Sequence, residues 1–258
     1  MNDSTPSNII PAATVVVFRN PRRGTAPELL MVTRARQMSF AGGAAVFPGG
    51  RVDPADFALA DTLSCDHDRD ETAHRIAAVR ETLEETGLAI GLHETVDAAD
   101  ARRARALLLE QGELAPVLTA MGWTLDLEAL VPFARWNPKN ERLPRVFDTR
   151  FYLADLGTGA VEVEIDATEN THLFWTSAAD ALAAAEAGDL SVIFPTRRNL
   201  ERLAQYSSFA DGRADALAHP VRTITPWMEQ RDGRPWLAIP SDAGYPIDGE
   251  PLDHASRG

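Results

Sequence analysis

Three glutamates within five positions, closed by a glycine, constrain this chain more than any other feature. The segment Arg80-Glu-Thr-Leu-Glu-Glu-Thr-Gly-Leu88 reads as the end of a helix running from about Glu71 to Thr86. Asp70 or Thr72 stands at its N-cap, and Gly87 sits where a left-handed C-cap belongs. Ile76, Ala77, Val79 and Leu83 recur at roughly helical spacing and mark its buried side. On such a helix Glu81, Glu84 and Glu85 are related by i,i+3 and i,i+4 and project from one face. A Glu-rich helix is ordinarily a solvated surface. The alternative is a hard divalent cation, which prefers carboxylate oxygen and keeps waters that a phosphate can displace. Arg80, four residues before Glu84, is placed to pair with a carboxylate and fix its rotamer.

The rest of the chain supplies strands and further helices. Ala13–Phe18 is a β-branched run, and Glu28–Thr33 reads as the returning strand of a hairpin. Val46-Phe47-Pro48 leads into a tight turn at Gly49-Gly50. Asp53–Asp70 is acidic and reads as an exposed loop. Residues 97–121 read as two helices. Leu130–Trp136, Phe147–Leu156, Val161–Ile165 and His172–Trp175 read as strands. Ser177–Ala187 and Pro195–Tyr206 read as helices, the second opened by a proline. Arg222–Trp227 and Trp236–Ile239 read as short strands, and the tail from Pro240 as irregular. The mixture argues for an α+β or α/β sandwich.

Composition removes several classes of function. Hydrophobic residues make up 45% and charged residues 24% of the 258 positions, which is ordinary globular usage. The longest apolar stretches fall far short of the roughly 20 residues a bilayer crossing needs. The N-terminus lacks a basic region followed by an apolar run, so it does not read as a secretory signal. Cys65 is the single cysteine, which excludes an internal disulfide framework and fits a cytoplasmic location. A formal charge of −13 does not favour nucleic acid, which calls for a broad basic surface. His74 and His172 show no metal-ligand spacing. Cys65 has no histidine–acid signature nearby, so a catalytic thiol is not expected.

In context, the acidic segment resembles the Nudix hydrolases, whose box reads G-x5-E-x7-R-E-U-x-E-E-x-G-U with U apolar or Thr. Gly50 matches the first glycine, Asp56 stands where the family has Glu, and Arg80–Leu88 matches in full. Here 23 residues separate Asp56 from Arg80, where the family pattern has seven, so Phe57–Asp70 reads as an insertion inside the box. The resemblance implies an α+β fold, an α/β/α sandwich with a mixed sheet between helices, carrying a helical insert and a C-terminal extension. It implies a Nudix hydrolase domain within residues 1–206; residues 207–258 lie outside the resemblance and are expected to be an extension packed on the same domain. It implies Mg²⁺ or Mn²⁺ bound by Glu81, Glu84, Glu85 and the Gly49 carbonyl, with Arg80 structural. It also allows a homodimer.

A narrower likeness precedes the box. Arg34-Ala35, Gly43 and Phe47-Pro-Gly-Gly50 are similar to the signature of coenzyme A diphosphatases, although Ser39 stands where that signature has Arg. The box insertion, the helical insert, Arg135-Trp-Asn-Pro138 and Arg145-Val-Phe-Asp-Thr-Arg-Phe-Tyr152 resemble the peroxisomal branch of those enzymes. The expected reaction is attack of metal-activated water on a P–O–P bond, giving 3′,5′-ADP and 4′-phosphopantetheine from coenzyme A. Glu81 is the first candidate base. Glu169 is the candidate for a later carboxylate, with Glu162 and Glu164 competing. Arg34, Arg36, Arg142, Arg145 and Arg150 are candidates for holding the substrate, since guanidinium pairs bidentately with phosphate, and Gly50 is a further substrate-binding candidate. Two alternatives stand beside this reading. One is a pyrophosphatase of ADP-ribose, dinucleotides or nucleotide sugars. The other is a non-catalytic nucleotide sensor.

Overall fold

A computed structural model describes residues 9–21, 26–34, 42–138, 146–156 and 170–255. In chain order the elements are β1 (Ile9–Arg19), β2 (Glu28–Arg34), β3 (Ala45–Val46), β4 (Gly49–Arg51), α1 (Pro54–Ala60), α2 (Arg69–Thr86), α3 (Ala98–Gln111), α4 (Leu114–Met121), β5 (Val131–Trp136), β6 (Val146–Asp155), β7 (Asn170–Thr176), α5 (Ala178–Ala187), α6 (Phe194–Leu203), α7 (Phe209–Ala218), β8 (Thr223–Ile224), β9 (Trp227–Arg231), β10 (Arg234–Ala238), β11 (Gly249–Pro251) and α8 (Leu252–Ala255).

The β-branched run of β1 forms the middle of a mixed sheet. It pairs in parallel with β6 from Ile9↔Val146 to Phe18↔Asp155. On its other edge it pairs antiparallel with β4 near its start and with β2 at its end. The main path is β3-β2-β1-β6-β5-β8, with β7 on β2. Both faces of the sheet are covered, so β1 reads as a continuous apolar run rather than an alternating one. Ala13, Val15 and Val17 pack with Ile76, Val79 and Leu83 of α2. Val16 and Phe18 pack in the opposite layer with Phe133, Phe151 and Leu200. This is the α+β sandwich expected from the sequence. No helix among the described residues is long and apolar enough to cross a membrane.

Three local expectations need correction, and the segment beyond Tyr206 adds elements of its own. The stretch 53–70 is not simply an exposed loop. Asp53 precedes Pro54, a favoured first helical residue, and its backbone N–H donates to the Asp56 carboxylate at 2.9 Å, so α1 forms. The cap of α2 is Asp68, which accepts from the Glu71 N–H at 2.7 Å, rather than Asp70 or Thr72. Beyond Tyr206 there is a further helix, α7, capped by Ser208. A hairpin follows there, with Asp232 and Gly233 at φ 51° and 74° forming the two-residue turn between β9 and β10. The tail from Pro240 then contains β11 and α8 instead of being wholly irregular. The expected strand at 161–165 lies outside the described residues.

The helical insert packs α3 and α4 into the α2 layer through Ala104, Leu108 and Val117. The C-terminal segment joins the other layer. β8 pairs with β5, and Ile239, Ala243 and Tyr245 are buried beside Phe133 and Trp136.

Candidate active site

Helix α2 is anchored at both ends and by its buried side, so its final turns present their acids in a fixed direction. Gly87 closes it with φ 72°, a conformation open to glycine without strain, and donates to the Leu83 carbonyl at 2.9 Å. Thr82 and Thr86 turn their hydroxyls back to the carbonyls of Ala78 and Thr82 at 2.8 and 2.6 Å, so both of these buried hydroxyls are paired. From α3, the Arg105 Nε donates to the Glu84 carbonyl at 2.8 Å. The helical insert therefore holds the backbone of the acidic turn.

Arg80 is the hub. Its side chain is 4% exposed and its partner Asp56 is 1% exposed. The guanidinium forks onto Asp56 through Nε and Nη2, both at 3.0 Å, and Nη2 also donates to the Arg51 carbonyl at 2.8 Å. Nη1 donates to Glu81 at 2.9 Å and to Glu84 at 3.3 Å. Asp56 and Arg80 are 24 residues apart in sequence. The long spacer therefore loops out between two residues that stay in contact, and the box closes despite it. The carboxylate at position 56 anchors the arginine. Burial opposes the charge on Arg80, but the bond to Asp56 and the charge of Glu81 outweigh it and raise its pKa.

Two glycines let β4 lie close to this helix on one side and to β1 on the other. A Cβ on Gly50 would stand 2.4 Å from the Glu81 carboxyl carbon. A Cβ on Gly49 would stand 2.3 Å from the Ala13 carbonyl oxygen. The Gly49 N–H donates to the Glu85 carboxylate at 3.0 Å. Burial pushes the Glu81 carboxyl up to about 8, with Glu85 and Glu84 adding to the rise against the pull of Arg80. Among the described residues no three His, Cys, Asp or Glu side chains converge as they would around a bound metal. The chemistry of the donor set nevertheless fits a hard cation. Glu81, Glu84 and Glu85 share one cleft, and burial together with its two neighbouring carboxylates keeps Glu81 protonated to unusually high pH.

These acids open onto a cleft of about 540 Å³. Arg34, at the end of β2, and Arg51, on β4, line it beside them. Away from those charges its lining turns apolar, with Trp136 of β5, Phe147 and Phe151 of β6, and Ile193 and Pro195 at the start of α6.

The structure thus brings together Gly49, Gly50, Arg34, Arg80, Glu81, Glu84 and Glu85. It does not bring Arg150 to them. On β6 the odd residues Phe147, Thr149 and Phe151 line the cleft, whereas Arg150 falls on the other face. There it pairs with Asp70 and Glu71 at the start of α2. Arg36, Arg142, Arg145, Glu162, Glu164 and Glu169 lie outside the described residues. His74 is buried, with its Nδ1 2.6 Å from the Asp70 carbonyl. Cys65 is exposed, its sulfur 3.2 Å from the Thr72 hydroxyl. Sequence reasoning missed Arg51; Trp136 and the aromatics of β6 stand within its family-like motifs, which do not place them on a cleft. The alternation of Phe147, Thr149 and Phe151 is a signal for the placement on β6.

Parts of this chain are similar to known proteins. Residues 9–113 match the NUDIX domain family. A solved NUDIX hydrolase from Alicyclobacillus acidocaldarius is 29% identical over 81% of this chain and 97% of its own, with a TM-score of 0.68. A MutT protein from Methanosarcina mazei Go1 is 15% identical over 78% of this chain and 96% of its own, at a TM-score of 0.45. The NUDIX domain of Shewanella oneidensis NrtR, solved with ADP ribose, is 13% identical over 78% and 89%, at 0.44. No curated protein matches.

Proposed function

From the match of residues 9–113 to the NUDIX domain family we propose that this chain is a Nudix pyrophosphohydrolase that hydrolyses coenzyme A or acyl-coenzyme A to 3′,5′-ADP and (acyl-)4′-phosphopantetheine. The observation carrying the narrower substrate is the two-sided cleft. Its acids and arginines suit a diphosphate, and its aromatic lining suits a bulky partner beyond the nucleotide. The partial signature from Arg34 to Gly50 supports the same substrate.

In this reading Glu81, Glu84, Glu85 and the Gly49 carbonyl hold Mg²⁺ or Mn²⁺. The ion supplies charge neutralisation of the diphosphate and a water of lowered pKa. Arg80 keeps Glu81 and Glu84 aimed at the cleft and is itself held by Asp56. Arg34 meets the phosphate oxygens. Glu81 takes the proton of the attacking water as that oxygen bonds to phosphorus and the bridging P–O bond breaks. Residues 1–206 form the hydrolase domain, and 207–258 extend it.

The test is a hydrolysis panel with Mg²⁺ and Mn²⁺ on coenzyme A, acetyl-coenzyme A, ADP-ribose, NADH and a dinucleoside polyphosphate, with products separated by chromatography. Preferential release of 3′,5′-ADP from coenzyme A is expected. Preferential turnover of another substrate would discard the coenzyme A assignment and retain the diphosphatase chemistry. Silence across the panel from folded, metal-loaded protein would favour a nucleotide sensor.

A further inference from the structure

We propose that the C-terminal segment is a positioning element of the cleft: Tyr245 holds Trp136, and through it the aromatic wall against which substrate fits. The inference rests on the cleft being the substrate site, not on which nucleotide fills it.

Trp136 is the last residue of β5 and lines the cleft with 1% of its surface exposed, so it is a packed wall. Chain beyond residue 206 holds it from two directions. Its backbone is paired in register with Ile224 of β8, and the next residue, Asn137, donates its N–H to the Ile224 carbonyl at 2.9 Å. Its indole N–H donates to the Tyr245 hydroxyl at 3.1 Å. The two rings meet edge to face with centroids 5.8 Å apart. Phe194, on α6, meets Trp136 in the same way at 6.0 Å.

The Tyr245 hydroxyl bonds in two directions. It accepts from Trp136 and donates to the Asn199 Oδ1 of α6 at 2.7 Å. One oxygen therefore ties β5 to α6, the two elements that supply Trp136, Pro195 and Thr196 to the cleft. Tyr245 is in turn backed by Arg202, whose guanidinium lies 5.6 Å from its ring centroid. Arg202 bonds the Phe133 carbonyl of β5 at 3.1 Å and Asp215 of α7 at 2.7 Å. A buried indole N–H deprived of its acceptor carries a desolvation cost, so the wall relaxes when the hydroxyl is lost. A small displacement of a wall weakens the fit of a ligand more than it alters acids held on another helix.

The test is Tyr245→Phe in the full chain, which keeps the ring and removes both hydrogen bonds. In a ¹H–¹⁵N spectrum the five tryptophans give five indole signals. Trp136 is assigned by its loss in Trp136→Phe or, if that variant does not fold, by elimination with the other four replacements. The Trp136 signal should move in Tyr245→Phe, and also in Asn199→Ala, which removes the hydroxyl's acceptor. KM for coenzyme A and ADP-ribose should rise about three- to tenfold with kcat within about twofold. If the wild type turns over neither compound, the proposed function fails on that count. The dissociation constants of the same two ligands, read from the indole spectrum without metal, then take the place of KM. An unmoved Trp136 signal, unchanged KM and dissociation constants, or a fall in kcat that tracks Tm while KM holds would each overturn the proposal.

Discussion

Replacing Asp56 with asparagine keeps the shape of the side chain and removes the charge that neutralises Arg80. Removing one partner of a buried ion pair costs about 3–5 kcal/mol when the other is stranded. Arg80 is not stranded here. It keeps the Arg51 carbonyl at 2.8 Å, Glu81 at 2.9 Å and, more distantly, Asp53 at 3.6 Å. The expected loss is therefore near the bottom of that range or below it, about 2–3 kcal/mol. At roughly 2–4 °C per kcal/mol for a chain of this size, Tm should fall by about 4–12 °C. Function should suffer as well. A guanidinium freed from Asp56 leans on Glu81 and Glu84 and competes with a cation for their oxygens, so more Mg²⁺ should be needed for half-maximal turnover. The assays are thermal unfolding with Asp56→Asn, Arg80→Met and the double variant, and turnover against Mg²⁺ concentration. The double-variant cycle should give a coupling of about 1–3 kcal/mol. Additive losses, or an Asp56→Asn protein with wild-type Tm and metal requirement, would refute the anchoring role.

Other outcomes follow from the same geometry. Glu84→Gln should abolish metal-dependent turnover while circular dichroism stays that of the wild type; undiminished turnover would remove Glu84 from the metal set. Gly50→Ala should lower kcat/KM about a hundredfold with little loss of Tm, because its new Cβ displaces the flexible Glu81 carboxylate rather than backbone; wild-type kinetics would contradict that close approach. Glu81 has its folded pKa raised from 4.5 to about 8, so the fold favours its protonated form. Its contribution to stability is present below about 4.5 and is lost as pH rises through 8. Metal-free protein should thus lose Tm across that window, and Mg²⁺ binding near pH 7 should release a proton, detectable by titration calorimetry in buffers of different ionisation enthalpy. Proton-neutral binding would argue against the Glu81 assignment. Deleting residues 57–70 should abolish cooperative unfolding, since it removes most of α1 and the Asp68 cap; a folded deletion protein would return that stretch to the status of a loop.

Much of the acidic turn is legible in the sequence because its signals are local. The i,i+3 and i,i+4 spacing of Glu81, Glu84 and Glu85, the glycine after the helix and the apolar run of β1 depend on residues within a few positions of one another. Sequence and structure part where two local signals compete or where strand parity matters. Acidity at 53–70 masks a proline-led helix, and the basic run ending at Arg150 hides the fact that β6 turns that arginine away from the cleft. The hairpin at Asp232-Gly233 has a clear turn signal that its polar surroundings obscure.

The chain by itself determined the acid-bearing helix, the glycine turn beside it and a sandwich able to bury a two-sided sheet. Those features are set by propensity, capping and periodicity, which act over one or two turns. Only the tertiary structure decided that Asp56 meets Arg80 across 24 residues and that Tyr245 reaches Trp136 across 109. Each is a contact between side chains that find one another only after the layers have closed. Their partners are chosen by the path of the backbone and by the need to satisfy buried charge and N–H groups, not by any pattern within either segment.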